Sequence, residues 1–173
     1  KFTEWFLSLK IPIAIVDGNH ENNAFLQSFP DDTWCGGEVH RLSDTIVHLK
    51  RGNIFQIGGK SFFVMGGCKS SDKWKEMGLY YEGEEPSDAE LLLAYDNLKK
   101  YDNKVDYVLT HKYWDYKEDA SDLYEPVSLE GLTKYIDEKV SFRHWYSGHL
   151  HLTRYVDEIH TVVYDEPIVL QDS

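Results

Sequence analysis

The chain has 173 residues, with 18 Lys and Arg against 30 Asp and Glu, giving a formal net charge of −12 at pH 7. Apolar residues make up 42% and aromatics 14%, enough to bury a core and to exclude an intrinsically disordered chain. No stretch reaches the roughly 20 apolar residues of a membrane helix, Lys1 to Trp5 lacks a basic-then-apolar secretory pattern, and the acidity argues against a sequence-independent grip on nucleic acid, which needs clustered Lys and Arg.

The length suits one domain, residues 1–173, and no repeat, low-complexity tract or composition break divides it. In chain order, Thr3 caps a short predicted helix to Lys10, which Pro12 ends. Ile11 to Val16 is a near-continuous apolar run rich in β-branched residues, the pattern of a parallel strand buried on both faces. It stops at the polar loop Asp17-Gly18-Asn19-His20-Glu21, and a helical or irregular segment follows from Asn23 to Phe29. Thr45 to Leu49 is a weakly alternating strand; Asn53 to Ile57 and Lys60 to Met65 form a hairpin through Gly58-Gly59. Gly66-Gly67 breaks the second of these strands, and Cys68 to Glu85 reads as a long polar loop carrying Trp74, Tyr80 and Tyr81.

Ser87-Asp88-Ala89-Glu90 is a capping box that opens a helix to about Tyr101, with Leu91, Leu92, Tyr95 and Leu98 on one face. Val105 to Thr110 is an apolar strand ending in His111, followed by a polar loop to Val127. Ser128 caps a helix with Leu132, Tyr135 and Ile136 inward, and Phe142 to Tyr146 is a strand running into Ser147-Gly148-His149-Leu150-His151. Further strands are expected at Thr153 to Val156, Ile159 to Tyr164 and Pro167 to Leu170. Interleaved strands and helices favour an α/β fold, while the hairpins add antiparallel pairing, so a sheet sandwich flanked by helices accommodates both.

Three polar clusters share one placement, just past the carboxyl end of an apolar strand: Asn19-His20, His111, and His149 with His151. Ligands of open α/β sheets bind at such ends. On an extended backbone His149 and His151 point to one side, so two neutral imidazoles face one metal site or two adjacent ones; taken alone, the pair also fits two ordinary satisfied histidines. The Asn19 amide oxygen is an acceptable hard ligand, and the His20 imidazole is placed to donate to a phosphate oxygen or a leaving group. Cys35 and Cys68, at unrelated spacing, make neither a disulfide framework nor a thiolate metal site, so a reducing, cytoplasmic setting is the expectation. Cys68, Lys69, Ser70 and Asp72 either border the site or belong to a solvated loop; Tyr113, Trp114 and Tyr116 either line a pocket or pack their own loop. His40, His48, His144 and His160 match no motif and are read as structural or exposed.

Taken in order, Gly-Asn-His-Glu after a strand, a later strand-end His, and Gly-His-x-His after another strand resemble the calcineurin-like metallophosphoesterases, in their phosphodiesterase-type branch. The resemblance implies two packed mixed sheets with helices outside. It implies Asn19, His111 and His149 as ligands of one divalent ion, His151 as a ligand of a second, and His20 beside the substrate phosphate. Glu21 would orient a ligand. It further implies hydrolysis of a phosphoester, mono- or diester, by two divalent ions about 3.5–4 Å apart that hold a bridging hydroxide; the acidic surface favours a small phosphoester over a polyanion, and imidazole-plus-oxygen ligation is compatible with Mn, Fe, Zn or Ni. The family's opening Asp-x-His and Gly-Asp-x-x-Asp are absent from this chain. The expectation is therefore the C-terminal portion of a longer domain. The alternative is a non-catalytic binding module with an incomplete metal site; a structural zinc site on His111, His149 and His151 is poorer, because such sites prefer cysteine and closed four-coordination.

Overall fold

The computed structural model describes residues 4–5, 8–112 and 127–170. Strand β1 (Ile13–Ile15) pairs in parallel with β4 (Ile46–Leu49), as its apolar run predicts, but it is not buried on both faces. It sits at the end of a four-stranded sheet of order β1-β4-β3-β2, with Ala14 exposed and Ile13 and Ile15 half-buried. The covered position belongs to β4, whose four residues are all buried. Strands β2 (Asp31–Trp34) and β3 (Gly37–Arg41) form a hairpin that the sequence reading passed over. Its turn, Cys35-Gly36, has φ of 49° and 88°, the pair of positive values a two-residue hairpin loop requires.

The Gly58-Gly59 hairpin forms as predicted between β5 (Ile54–Ile57) and β6 (Lys60–Met65), again with two positive φ values, 57° and 74°. β6 then pairs in parallel with β7 (Tyr107–Thr110), which pairs in parallel with β8 (His144–Ser147). β9 (Arg154–Tyr155) and β10 (His160–Val162) complete a six-stranded sheet of order β5-β6-β7-β8-β10-β9. Residues 167 to 170 form no strand.

Among the helices, α1 (Asn23–Gln27) is capped by the Asn22 side chain, which accepts from the Phe25 N–H. The stretch read as a loop after Cys68 contains a short helix, α2 (Asp72–Glu76). α3 (Asp88–Lys100) opens on the predicted capping box of Ser87 and Glu90. It buries Leu91, Ala94 and Leu98, whereas Leu92 points to solvent at 52% exposure. The inward stripe is thus i, i+3, i+7, and Leu92 falls one step off it. α4 (Leu129–Lys139) is capped by Ser128 and buries Leu129, Leu132 and Ile136.

The alternation along β6 sets the layers. Phe63 and Met65 pack with Leu91, Leu98, Leu132 and Ile136 of the two long helices, while Val64 packs with Val39, Val47 and Leu49 of the other sheet. Two mixed sheets therefore face each other, and α3 and α4 cover the outer face of the larger one, an α/β arrangement in keeping with the expected sandwich. Among the described residues no helix is long and apolar enough to cross a membrane.

Candidate metal centre

Backbone hydrogen bonds draw four strand exits to one edge. The Gly67 N–H donates to the Asp17 carbonyl at 2.8 Å, His111 N–H to Met65 at 3.0 Å, and Gly148 N–H to the His111 carbonyl at 2.9 Å. β1, β6, β7 and β8 thereby present Asn19, Cys68, His111 and His149 to a common point. Glycine at 66 is required by this approach, since a Cβ there would fall on the Asp17 carboxylate.

Asn19 Oδ1 lies 3.0 Å from His111 Nε2, which lies 3.1 Å from His149 Nδ1. The amide orientation is set from behind. The Glu84 carboxylate, 0% exposed, accepts from Ser70 N–H at 2.6 Å and from Ser70 Oγ at 2.8 Å. Ser70 Oγ, having given its proton to Glu84, accepts from Asn19 Nδ2 at 2.9 Å. The amide nitrogen is thereby engaged, and the oxygen is turned toward the imidazoles. Burial, and then the neighbouring His149, push His111 down to about 4. Burial, and then Lys112, lower His149. Both rings hold their neutral, lone-pair-bearing form at neutral pH.

The other expected site residues lie around this cluster. His20 is exposed, with Nε2 3.4 Å from Asn19 Nδ2 and its ring against the Trp74 edge at 5.5 Å. His151 does not share an extended backbone with His149. Both have positive φ, 53° and 70°, and the Leu150 N–H closes a tight turn onto the Gly148 carbonyl at 2.9 Å. The two rings consequently part: His149 meets His111, and His151 stacks on Tyr164 at 5.3 Å. His151 still borders the same cleft of about 780 Å³, together with Asn19, His20, Lys69, Trp74 and Lys112. Glu21 accepts a hydrogen bond from the Gly18 N–H, closing the loop that carries Asn19.

Sequence reading missed Asp17, Arg51 and Glu84, all buried. Arg51 donates to Asp17 Oδ2 through Nε at 3.0 Å and a terminal nitrogen at 2.5 Å, and His48 Nε2 lies 3.2 Å from Oδ1. Burial alone would raise the Asp17 pKa; the His48 hydrogen bond and the Arg51 charge override it, and the carboxyl is held below its ordinary value. The one available signal was Asp17 itself, immediately before Gly18-Asn19. Of the two readings of Cys68, the structure favours the one at the border of the site. The residue is 1% exposed rather than solvated, with Sγ 3.7 Å from His149 Nδ1, and burial raises its thiol to about 11. Thr3, Tyr113, Trp114 and Tyr116 lie outside the described residues.

The family model for calcineurin-like phosphoesterases matches residues 1–152. The chain belongs to that family. No curated protein and no solved structure matches it significantly. A calcineurin-like phosphoesterase domain implies a divalent metal, and the donors present fit one. Two imidazole nitrogens and an amide oxygen, with neighbouring atoms 3.0 and 3.1 Å apart, have the spacing of cis ligands held at about 2.1 Å from one ion.

Proposed function

We propose that this metallophosphoesterase domain hydrolyses a small phosphoester with the help of divalent ions. Asn19, His111 and His149 hold one ion, and His151 contributes to a second. The observation that carries this reading is the convergence of Asn19 Oδ1, His111 Nε2 and His149 Nδ1, with the amide locked by Ser70 and Glu84. When bound, such ions supply Lewis-acid stabilisation and an activated water, so no protein nucleophile is needed.

The chain's own residues do the rest. His20 stands at the cleft beside Asn19, placed to donate to a phosphate oxygen or to the leaving oxygen. Lys69 and Lys112 border the cleft and offset part of the chain's −12 charge where an anionic substrate enters. Trp74 walls the side next to His20.

The test is metal analysis of the purified protein with turnover of an aryl phosphodiester and an aryl phosphomonoester. Expected are a bound divalent metal and turnover lost in Asn19→Ala and His149→Ala. A metal-loaded preparation with no turnover, or variants as active as the parent, would overturn the reading.

A further inference from the structure

Cys68 has no part in the ligand set drawn above, yet its position is built. β6 ends at Met65, and Gly67, at φ 71°, turns the chain so closely over Arg51 and the Glu84 carbonyl that a Cβ would strike both. That turn delivers Cys68 inward, buried, rather than into the loop. Its sulfur then lies 3.7 Å from His149 Nδ1, and the ligand atoms of Cys68, His111 and His149 all fall within 4.8 Å of one another. Among the described residues this is the group of three or more His, Cys, Asp or Glu side chains so arranged.

We propose that Cys68 is a thiolate ligand of the ion held by Asn19, His111 and His149, making a site of one sulfur, two nitrogens and one oxygen. The inference rests on the metal-centre reading above. For an ion with bonds of about 2.3 Å to sulfur and about 2.0–2.1 Å to nitrogen, angles between about 90° and 109° put the two atoms about 3.1–3.5 Å apart, and the observed 3.7 Å lies a little beyond that range. Binding breaks the S–H bond and forms the metal–sulfur bond, and the proton leaves to solvent. No oxidant or further reactant is involved. The competing arrangement is a weak S–H hydrogen bond to His149 Nδ1, which the same distance also allows. A thiolate favours borderline and soft ions, so the site ranks Zn(II) and Co(II) over Mn(II) more steeply than a nitrogen–oxygen set would. It also exposes the centre to oxidation at sulfur.

Co(II) spectroscopy of the purified full chain, kept reduced and free of oxygen, separates the possibilities. The expected result is visible d–d absorption together with a near-ultraviolet thiolate-to-Co(II) charge-transfer band. The band should vanish in Cys68→Ser and Cys68→Ala, persist in Cys35→Ser, and leave the d–d absorption present throughout. Zn(II) affinity in Cys68→Ala should fall at least about tenfold, and Mn(II) affinity far less. Visible d–d absorption without the ultraviolet band in the parent protein overturns the thiolate and leaves the metal centre standing. A band that follows Cys35 overturns it equally. A parent protein that takes up no Co(II) or Zn(II) overturns the metal centre itself, and the thiolate ligand with it.

Discussion

Two histidine pairs in this molecule bring ring nitrogens to nearly the same separation in different surroundings. His40 and His48 are cross-strand neighbours on β3 and β4, stacked at 17°, with Nδ1 atoms 3.0 Å apart. Carboxylates stand at both outer ends: Asp17 Oδ1 is 3.2 Å from His48 Nε2, and Asp31 Oδ1 is 3.4 Å from His40 Nε2. With both rings neutral, one set of protons closes the two inner contacts and leaves His40 Nε2 without a proton for Asp31. His48 donates to Asp17 through Nε2, which frees its Nδ1 to accept from His40. His111 and His149 instead meet edge to face at 80°, and among the described residues the atoms that face their paired nitrogens are an amide oxygen and a thiol. Separation between imidazoles is therefore a poor guide to function. What faces the remaining lone pairs decides whether the pair is a strut or a socket for a cation.

The comparison can be broken at several points. The largest effect is expected from His149→Ala, which should lower phosphoester turnover by about a thousandfold or more, since Lewis-acid stabilisation is worth several kcal/mol. His40→Ala should leave turnover nearly intact; equal losses in steady-state assays would erase the distinction between the pairs. Next comes Arg51→Ala, which leaves the Asp17 carboxylate buried with His48 as its side-chain hydrogen-bond partner among the described residues. Stripping one partner from a buried ion pair costs about 3–5 kcal/mol, to be read in urea unfolding, and an unchanged midpoint would remove Asp17 as the anchor. Ser70→Ala frees the Asn19 amide to flip and deprives Glu84 of its hydroxyl partner, and should weaken metal binding about 10–100-fold by calorimetry.

The smallest effect concerns pH. Burial, and then the charges of His48 and Lys50, hold His40 below its ordinary value. An unfolded histidine titrates near about 6.5, so below that pH the unfolded chain binds more protons than the folded one. This share of stability is whole above about 6.5 and drains away as pH falls toward the lower folded value. His40→Gln should flatten the dependence of unfolding free energy between about pH 5 and 7; an identical slope would mean that the stack carries no such linkage.

What the sequence revealed was what local chemistry decides. Gly58-Gly59 dictates a hairpin, Ser87 and Glu90 cap a helix reciprocally, and apolar runs ending in Asn19, His111 and His149 mark strand exits. The failures came where distant parts of the chain decide. Ile11 to Val16 is apolar enough for a central strand, but only the sheet order shows β1 at its edge. His149 and His151 alternate in sequence, but both are left-handed, flanking the turn of Leu150 onto Gly148 that parts their rings. Glu84 reaches Ser70 across 14 positions, and Arg51 reaches Asp17 across 34, pairings that carry no local signature.

Asp17 holds both sheets at once. Its carbonyl receives the exit of β6, and its carboxylate grips the ring of β4's His48 and the guanidinium just beyond β4. The residue that precedes the ligand loop is thus also the rivet of the sandwich. Heating should not loosen this edge ahead of the rest: exchange protection at Gly67 and His111 should collapse together with that of the core, and whatever tightens that edge should raise the melting point of the whole.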